Sequence, residues 1–408
     1  MKKKILASAI IVLTFGAGYF VGTQLQFPAE TDSGAVRSGS SEDGVELGLF
    51  WDVWRKTKEK FVDVEALDPT KMLYGAIKGV VDSLGDPNSE FLDPTESEEF
   101  LDSLEGDLTG IGAEVGTRDN KLVVISPLRG SPAEAAGLLP GDHIFKINDE
   151  FSADYSLFEA VKRIRGEPGT QVTLTIFRNG NPKSQEITIT RDFIDIESVV
   201  TELRPDGLAV VTVATFADDT AEEFTKALAD LALKNPQGLI LDLRFNGGGF
   251  LDAAVEMTSK LLATGNIVTI HERQSSDKTI VVSGAALLPE TPLVVLINAG
   301  SASSSEIMAG ALQDNGRATV IGEQSFGKGT VQELVNNFED GSMLRITIAK
   351  WFTPSGRDVN EEGITPDIEV ELSPEDYFAK KDPQLDAAVE FLKTGKVTAV
   401  EGTEEEGE

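Results

Sequence analysis

Leu293-Val294-Val295-Leu296-Ile297-Asn298-Ala299-Gly300-Ser301-Ala302-Ser303-Ser304-Ser305-Glu306-Ile307 passes from an apolar run through a small-residue turn into a serine-rich segment. The first five residues read as a strand, and the serines are N-capping residue types that open a helix over Ser303 to Leu312. A strand over Thr319 to Ile321 follows. Next comes a glycine-rich loop in which Lys328 stands alone between Gly327 and Gly329, and then a further strand over Thr330 to Val335. Upstream the same alternation holds: strand Leu208 to Val213, helix Ala221 to Leu233, strand Leu239 to Leu243, helix Leu251 to Leu262. Phe224, Ala227, Leu228 and Leu231 share one helix face, and Asp219 with Glu222 has capping-box spacing. Such alternation argues for βαβ units on a partly parallel sheet. Ligands bind such sheets beyond the C-terminal strand ends, where Asn246 to Gly249, Asn298 to Ser303 and Glu323 to Gly329 all lie.

The flanks read differently. Lys2, Lys3 and Lys4 precede an uncharged, mostly apolar run from Ile5 to about Leu25, long enough to cross a bilayer core as a helix. With the lysines held inside, everything after Thr23 is expected outside the cytoplasm. Gln26 to Asp43 is a flexible tether by composition. Helical spacing returns at Leu49, Val53 and Trp54, and again from Met72 to Leu84, ending at Gly85-Asp86-Pro87. Between Thr109 and Ile194 short strands dominate: Leu122 to Ile125, Ile144 to Ile147, Val172 to Phe177 and Ile187 to Ile189. Two short helices interrupt them, near Pro132 to Ala136 and Leu157 to Ile164. Gly402 to Glu408 is an acidic tail.

Composition narrows the chemistry. A formal charge of −32 repels polyanions, so nucleic acid is excluded as a partner. The chain has no cysteine, which removes thiol nucleophiles and thiolate metal sites, and only His143 and His271 are available for a Ser-His-Asp triad. A serine paired with a lysine is the remaining economical nucleophile and base. Ser303 sits where a strand ends and a helix begins, so free N–H groups and the positive helix end converge on it. Taken alone, Ser301, Ser303, Ser304 and Ser305 are N-cap serines, and Gly247-Gly248-Gly249 is an ordinary turn. What joins them is Lys328, because right-handed βαβ geometry often sets the strands before and after the Ser303 helix side by side, putting both loops on one rim. A lysine acts as base only when its pKa is depressed by burial, and its glycine neighbours let other segments approach. Gly322 to Thr330 also has the spacing of a phosphate-binding loop. It fails where Gly329 replaces the hydroxyl residue and where a strand follows in place of a helix. Asp314 is about three helical turns, roughly 16 Å, from Ser303 on the same face. It is therefore expected to fix the helix end or a neighbouring loop. No metal or cofactor is implied, and neither histidine is assigned a role.

With those residues in view, the stretch from about Leu49 to Asp367 resembles the carboxyl-terminal processing peptidases, or tail-specific proteases. Gly300 to Ile307, Ala309 to Asn315, Gly322 to Gln332 and Leu241 to Gly249 carry the likeness to the catalytic block. Ser304 stands where the family has alanine. The resemblance implies that Ser303 is the nucleophile, Lys328 the general base and Gln332 the residue that orients it. It further implies an oxyanion hole from Gly248 or Gly249 with the N–H of Ser304. Leu108-Thr109-Gly110-Ile111-Gly112, with Ser131 to Leu138 and Pro140-Gly141-Asp142, resembles the carboxylate-binding loop and downstream signature of a PDZ domain. Such a domain offers N–H groups to a terminal carboxylate while the peptide adds a strand.

The expected protein is thus an α/β and α+β multidomain chain. It comprises an anchor or signal over 1–25, a tether over 26–43, a helical region over 44–106, a PDZ domain over 107–194, a βαβ-containing peptidase core over 195–395 and an acidic tail over 396–408. Its expected partners are protein or peptide substrates with free C-termini and, through the N-terminal helix, the membrane; a homo-oligomer or an activating partner stays open. Its expected place is the bacterial cytoplasmic membrane, single-pass with the catalytic part outside the cytoplasm, or the exported fraction if the N-terminus is cleaved. The rival reading is a catalytically inactive PDZ-bearing scaffold.

Overall fold

The computed structural model describes residues 45–105, 109–119, 121–178, 181–194, 197–273 and 275–397. The expected anchor, tether and extreme acidic tail, with Leu108 of the carboxylate-binding loop, lie outside the described residues. Among the described residues no helix is long and apolar enough to cross a membrane. The chain divides into two compact units, 1–72 and 73–408. In the first unit, helix Gly48–Lys60 places Phe50, Trp51 and Trp54 in mutual ring contact.

Among the described residues the second unit is built on three larger sheets, with a two-stranded one that pairs Thr109–Gly110 with Asp192–Phe193. Its central sheet runs Val199–Leu203, Leu208–Val213, Gly238–Asp242, Leu293–Ile297, Thr319–Gly322, Ile368–Glu369, parallel throughout except for the first pair. Period-two alternation splits each strand between two cores. Val211, Leu241, Val295 and Ile297 face helices Thr220–Ala232, Leu251–Leu261 and Ser304–Asp314, whereas Val210, Ile240, Val294 and Leu296 face Ala387 and Ala388 of helix Pro383–Thr394. Helices on both faces explain why these strands read as unbroken apolar runs. Leu293–Ile297 and Thr319–Gly322 are adjacent and parallel. The loops bearing Ser303 and Lys328 therefore emerge from one sheet edge.

Two local expectations need correction. Asp219 does not close a capping box: its backbone is helical (φ −97°, ψ −11°) and its side chain makes no capping bond. A capping side chain normally accepts from a β-region backbone. Here the Ala217 N–H instead donates to Thr220 Oγ1 at 2.9 Å. The region expected to be helical contains, between helices Pro69–Asp82 and Pro94–Glu105, the strand Glu90–Leu92. It joins an antiparallel sheet with Met343–Phe352, Asn266–Glu272, Lys278–Val281 and Thr330–Val335. Three residues are too few for a periodicity signal, and the partner is about 250 residues away in sequence.

The third sheet, Ala113–Arg118, Lys121–Pro127, His143–Ile147, Gln171–Phe177, Gln185–Thr190, leaves Ala113–Arg118 at its edge. Between that edge and helix Leu157–Ile164 runs a groove of about 200 Å³ lined by Gly110, Ile111, Gly112, Val115, Val161 and Ile164. The helix is closed at its start by a Ser156–Glu159 capping box, and its last carbonyls accept from buried Arg191.

Candidate active site

Ser303 is held at φ +53°, ψ −112°. A non-glycine residue there stores about 1–3 kcal/mol and persists only where its surroundings over-determine it. The neighbouring serines do that. Ser301 Oγ donates to Leu243 O (2.8 Å), Ser305 Oγ to Asn246 O (2.8 Å) and Ser304 Oγ to Gly249 O (2.8 Å), stapling this turn to the triple-glycine turn. Ser301, Ser304 and Ser305 are buried in making these bonds, and Ser303 alone is half-exposed.

The group that brings the two loops together is one that sequence reasoning passed over. Glu306, fully buried on the Ser303 helix, accepts the Ser303 N–H (2.7 Å) and the Lys328 N–H (3.0 Å) on Oε2. Its Oε1 accepts the Gly327 N–H (2.7 Å) and the Ser325 hydroxyl (2.6 Å). Burial pushes this carboxyl upward, against the downward pull of those donors. All four bonds are satisfied by a carboxylate, whose oxygens only accept. The available signal was the Ser303-x-x-Glu306 capping-box spacing. Lys328 is also pinned from behind, since Trp351 Nε1 donates to its carbonyl at 3.0 Å. Gly327 and Gly329 lie so close to the 360–363 segment that a Cβ on either would come within 2.8 Å of backbone atoms.

Oxyanion donors can be read from what is already committed. A Cβ on Gly248 would fall 2.9 Å from Ser303 Cβ and 3.1 Å from Ser304 N, so this glycine does adjoin the serine. Its N–H, however, is given to Asn246 Oδ1 at 2.9 Å. In this conformation the Gly248 N–H thus already has a partner. The N–H groups of Gly249 and Ser304 have no acceptor among the described residues. Gln332 Nε2 donates to Thr330 and Thr347 hydroxyls at 2.9 and 3.1 Å, and no hydrogen bond joins it to Lys328 among the described residues. Its Oε1 is the atom that can face an ammonium. Asp314 lies apart, accepting from Ser355 N (2.9 Å) and Arg357 Nη2 (2.5 Å) at the far end of the helix. His143 stacks on Phe177 and His271 bonds to Asp277. No cluster of three or more metal-ligating side chains occurs among the described residues.

The groove-bearing sheet packs directly on these loops. Arg118 of its edge strand donates to Phe326 O and lies over the Phe326 ring, 4.2 Å from its centroid. Arg129 pairs at 2.7 Å with buried Asp242, which also chelates Arg244. Burial works to raise the Asp242 carboxyl, but the two guanidinium groups hold it far below the usual carboxylate range.

Comparison with known proteins agrees with this layout. Residues 109–189 match a PDZ domain and residues 207–370 match peptidase family S41. The chain is 38% identical over 393 residues to the carboxy-terminal processing protease CtpB of Bacillus subtilis, covering 94% of this chain and 81% of the relative. It is also 38% identical to the carboxy-terminal-processing protease of Bartonella bacilliformis, covering 90% and 84%. Among solved structures, a photosystem II D1 C-terminal processing protease superposes with a TM-score of 0.70 at 33% identity, covering 81% of this chain and 88% of that one.

Proposed function

Because the chain belongs to the carboxy-terminal processing proteases of peptidase family S41, serine-type endopeptidases carrying a PDZ domain, we propose that Ser303 and Lys328 form its catalytic dyad and that the Gly110 to Val115 groove takes the substrate's C-terminus. The observation that carries the dyad is Glu306, one buried carboxylate that ties the backbone of the serine to that of the lysine. In this reading neutral Lys328 Nζ accepts the Ser303 Oγ proton as Oγ attacks the scissile carbonyl. The oxygen that becomes anionic is met by the N–H groups of Ser304 and Gly249. Lysine then returns the proton to the leaving amine, and water hydrolyses the acyl-enzyme by the same route. Ser303 Oγ and Lys328 Nζ share no hydrogen bond here, and such bonds commonly tighten only with substrate present. The scaffold alternative is disfavoured, since binding peptides requires neither the strained Ser303 nor the Glu306 clamp.

Peptide capture has a direct test. An apolar-ended peptide acid should bind this protein at least tenfold more tightly than its C-terminal amide, because amidation removes the charge that backbone N–H groups would hold. Equal affinities by calorimetry, with Ser303→Ala used to prevent turnover, would remove the groove from the account.

The three lysines and apolar run at the N-terminus support a single-pass anchor with the peptidase outside the cytoplasm. Full-length protein should stay with membranes through alkaline carbonate, while a chain starting near Ser41 should be released. Unprocessed full-length protein in the carbonate supernatant would contradict the anchor.

A further inference from the structure

The parallel sheet ends in a cavity that the proposed reaction does not use. Leu296 and Ile321 face helix Pro383–Thr394, and period-two alternation continues that face to Asn298 and Glu323, one residue past the strand ends. The helix stops covering it there, since Gln384, its second residue, donates to Glu323 Oε2 at 3.2 Å. Beyond lies a cavity of about 240 Å³ walled by Leu139 of the PDZ domain, by Phe245, Asn298 and Glu323, and by Glu371 and Leu372 of the C-terminal segment. Ligands of open α/β sheets bind at such strand ends.

Its polar groups define what it can hold. Asn298 is 3% exposed; its Oδ1 accepts the N–H groups of Phe245 (3.0 Å) and Gly300 (3.1 Å), and its Nδ2 has no acceptor among the described residues. A buried amide donor left bare costs stability unless a ligand meets it. Glu323 stands beside it on the neighbouring strand, its N–H donating to Ile297 O at 3.1 Å. Burial pushes the Glu323 carboxyl upward; the Gln384 amide pulls it back, Glu371 adds to the rise, and the Leu372 N–H and Arg244 lower it. Arg244 is itself held between Asp242 and Asp382. Arg178, the guanidinium lining the cavity, is neutralised by buried Asp142, with Nε and Nη2 each donating at 2.7 Å. The charge left without a partner of its own is therefore negative.

We propose that this cavity is a binding site for an apolar residue with a free α-ammonium group: the ammonium on Glu323 and Glu371, the adjoining carbonyl oxygen on Asn298 Nδ2, and the side chain against Leu139, Phe245 and Leu372. Ammonium and carbonyl flank one Cα in such a ligand, as Glu323 and Asn298 flank one strand spacing of about 4.8 Å. A volume below the roughly 300 Å³ at which pockets for drug-sized ligands begin suits one or two residues. Free amino acids and peptide N-termini both carry this chemistry, the latter including the fragment whose amine is released on cleavage. Tyr377 of the C-terminal segment also lines the cavity and donates to Glu134 of the PDZ domain at 2.9 Å, so an occupant fills a junction that the fold already straps together.

The site owes nothing to the dyad, so the test uses the full chain carrying Ser303→Ala, by calorimetry at about pH 6.5, where an α-amino group is charged. Leucinamide, which has no terminal carboxylate for the PDZ groove, should bind with a Kd of about 1 mM or tighter and raise the melting temperature. N-acetyl-leucinamide, lacking the ammonium, should bind at least about tenfold more weakly. Glu323→Gln keeps shape and loses charge, and should weaken leucinamide at least about tenfold; Leu372→Trp fills the cavity and should abolish binding. Melting curves establish that both variants fold. Leucine binding more tightly than leucinamide identifies free amino acids as the ligand, whereas leucyl-glycinamide binding more tightly than leucine identifies peptide N-termini. No binding of leucinamide at about 10 mM, equal binding of its acetylated form, or affinity unchanged in both folded variants overturns the proposal and leaves the Ser303/Lys328 reading as it stands.

Discussion

Ser303→Ala is expected to reduce peptide cleavage by about 10⁴- to 10⁶-fold in kcat, to the level left by binding and oxyanion stabilisation alone. Lys328→Ala should cost nearly as much, and the double variant no more than either, because nucleophile and base act as one unit. Lys328→Arg should fail as well, since a guanidinium does not give up its proton in a protein. The fold should survive: Ser303 is half-exposed, and its side chain is not among the serines that staple the turn. Mass spectrometry of products from a denatured substrate, run on the variants in parallel, measures this. Cleavage by purified Ser303→Ala at more than a few per cent of wild type would sink the assignment.

Glu306→Ala should show the second large effect, on stability and on rate together. It strands the N–H groups of Ser303, Gly327 and Lys328 and the Ser325 hydroxyl, all now bonded to one buried carboxylate. Unsatisfied buried donors cost about 1–3 kcal/mol each before relaxation, so a net loss of about 3–5 kcal/mol is expected. Glu306→Gln is the sharper probe. Its amide keeps the volume but turns one oxygen, an acceptor of two bonds, into a donor, so either the Ser303/Lys328 pair or the Gly327/Ser325 pair loses its partner. A displacement of the loops by about 1 Å costs on the order of 10² in rate. The expected signature is therefore kcat down about a hundredfold with KM little changed in a protein that still folds. Wild-type kcat in folded Glu306→Gln would show that the clamp does not set the geometry of the pair.

The residues that do chemistry were legible because each breaks a local pattern. Ser303 opens a helix after a strand and a run of small residues, and Lys328 is a lone charge between glycines where three loops leave one sheet edge. Most of the strand and helix alternation from Leu208 to Ile321 was legible because strands covered on both faces leave unbroken apolar runs, although the strands Asn266–Glu272 and Lys278–Val281 within it were not read. Glu90–Leu92 was not, being three residues long and stabilised by a partner about 250 residues away. Asp219 misled, because capping depends on a backbone conformation that spacing does not encode.

What the sequence determined by itself was which elements form and which side chains could react, as these follow from propensity, periodicity and intrinsic chemistry over a few residues. Only the tertiary structure decided what each polar group faces. Burial of Glu306 among four donors makes it a clamp, the Asn246 side chain takes the N–H of Gly248 and leaves those of Gly249 and Ser304, and packing of the PDZ edge strand sets Glu114 against Gly247. Hydrogen bonds act over a few ångströms, and partners such as Ser305 and Asn246, 59 residues apart, or Arg118 and Phe326, 208 apart, come within that range only once the sheets have packed.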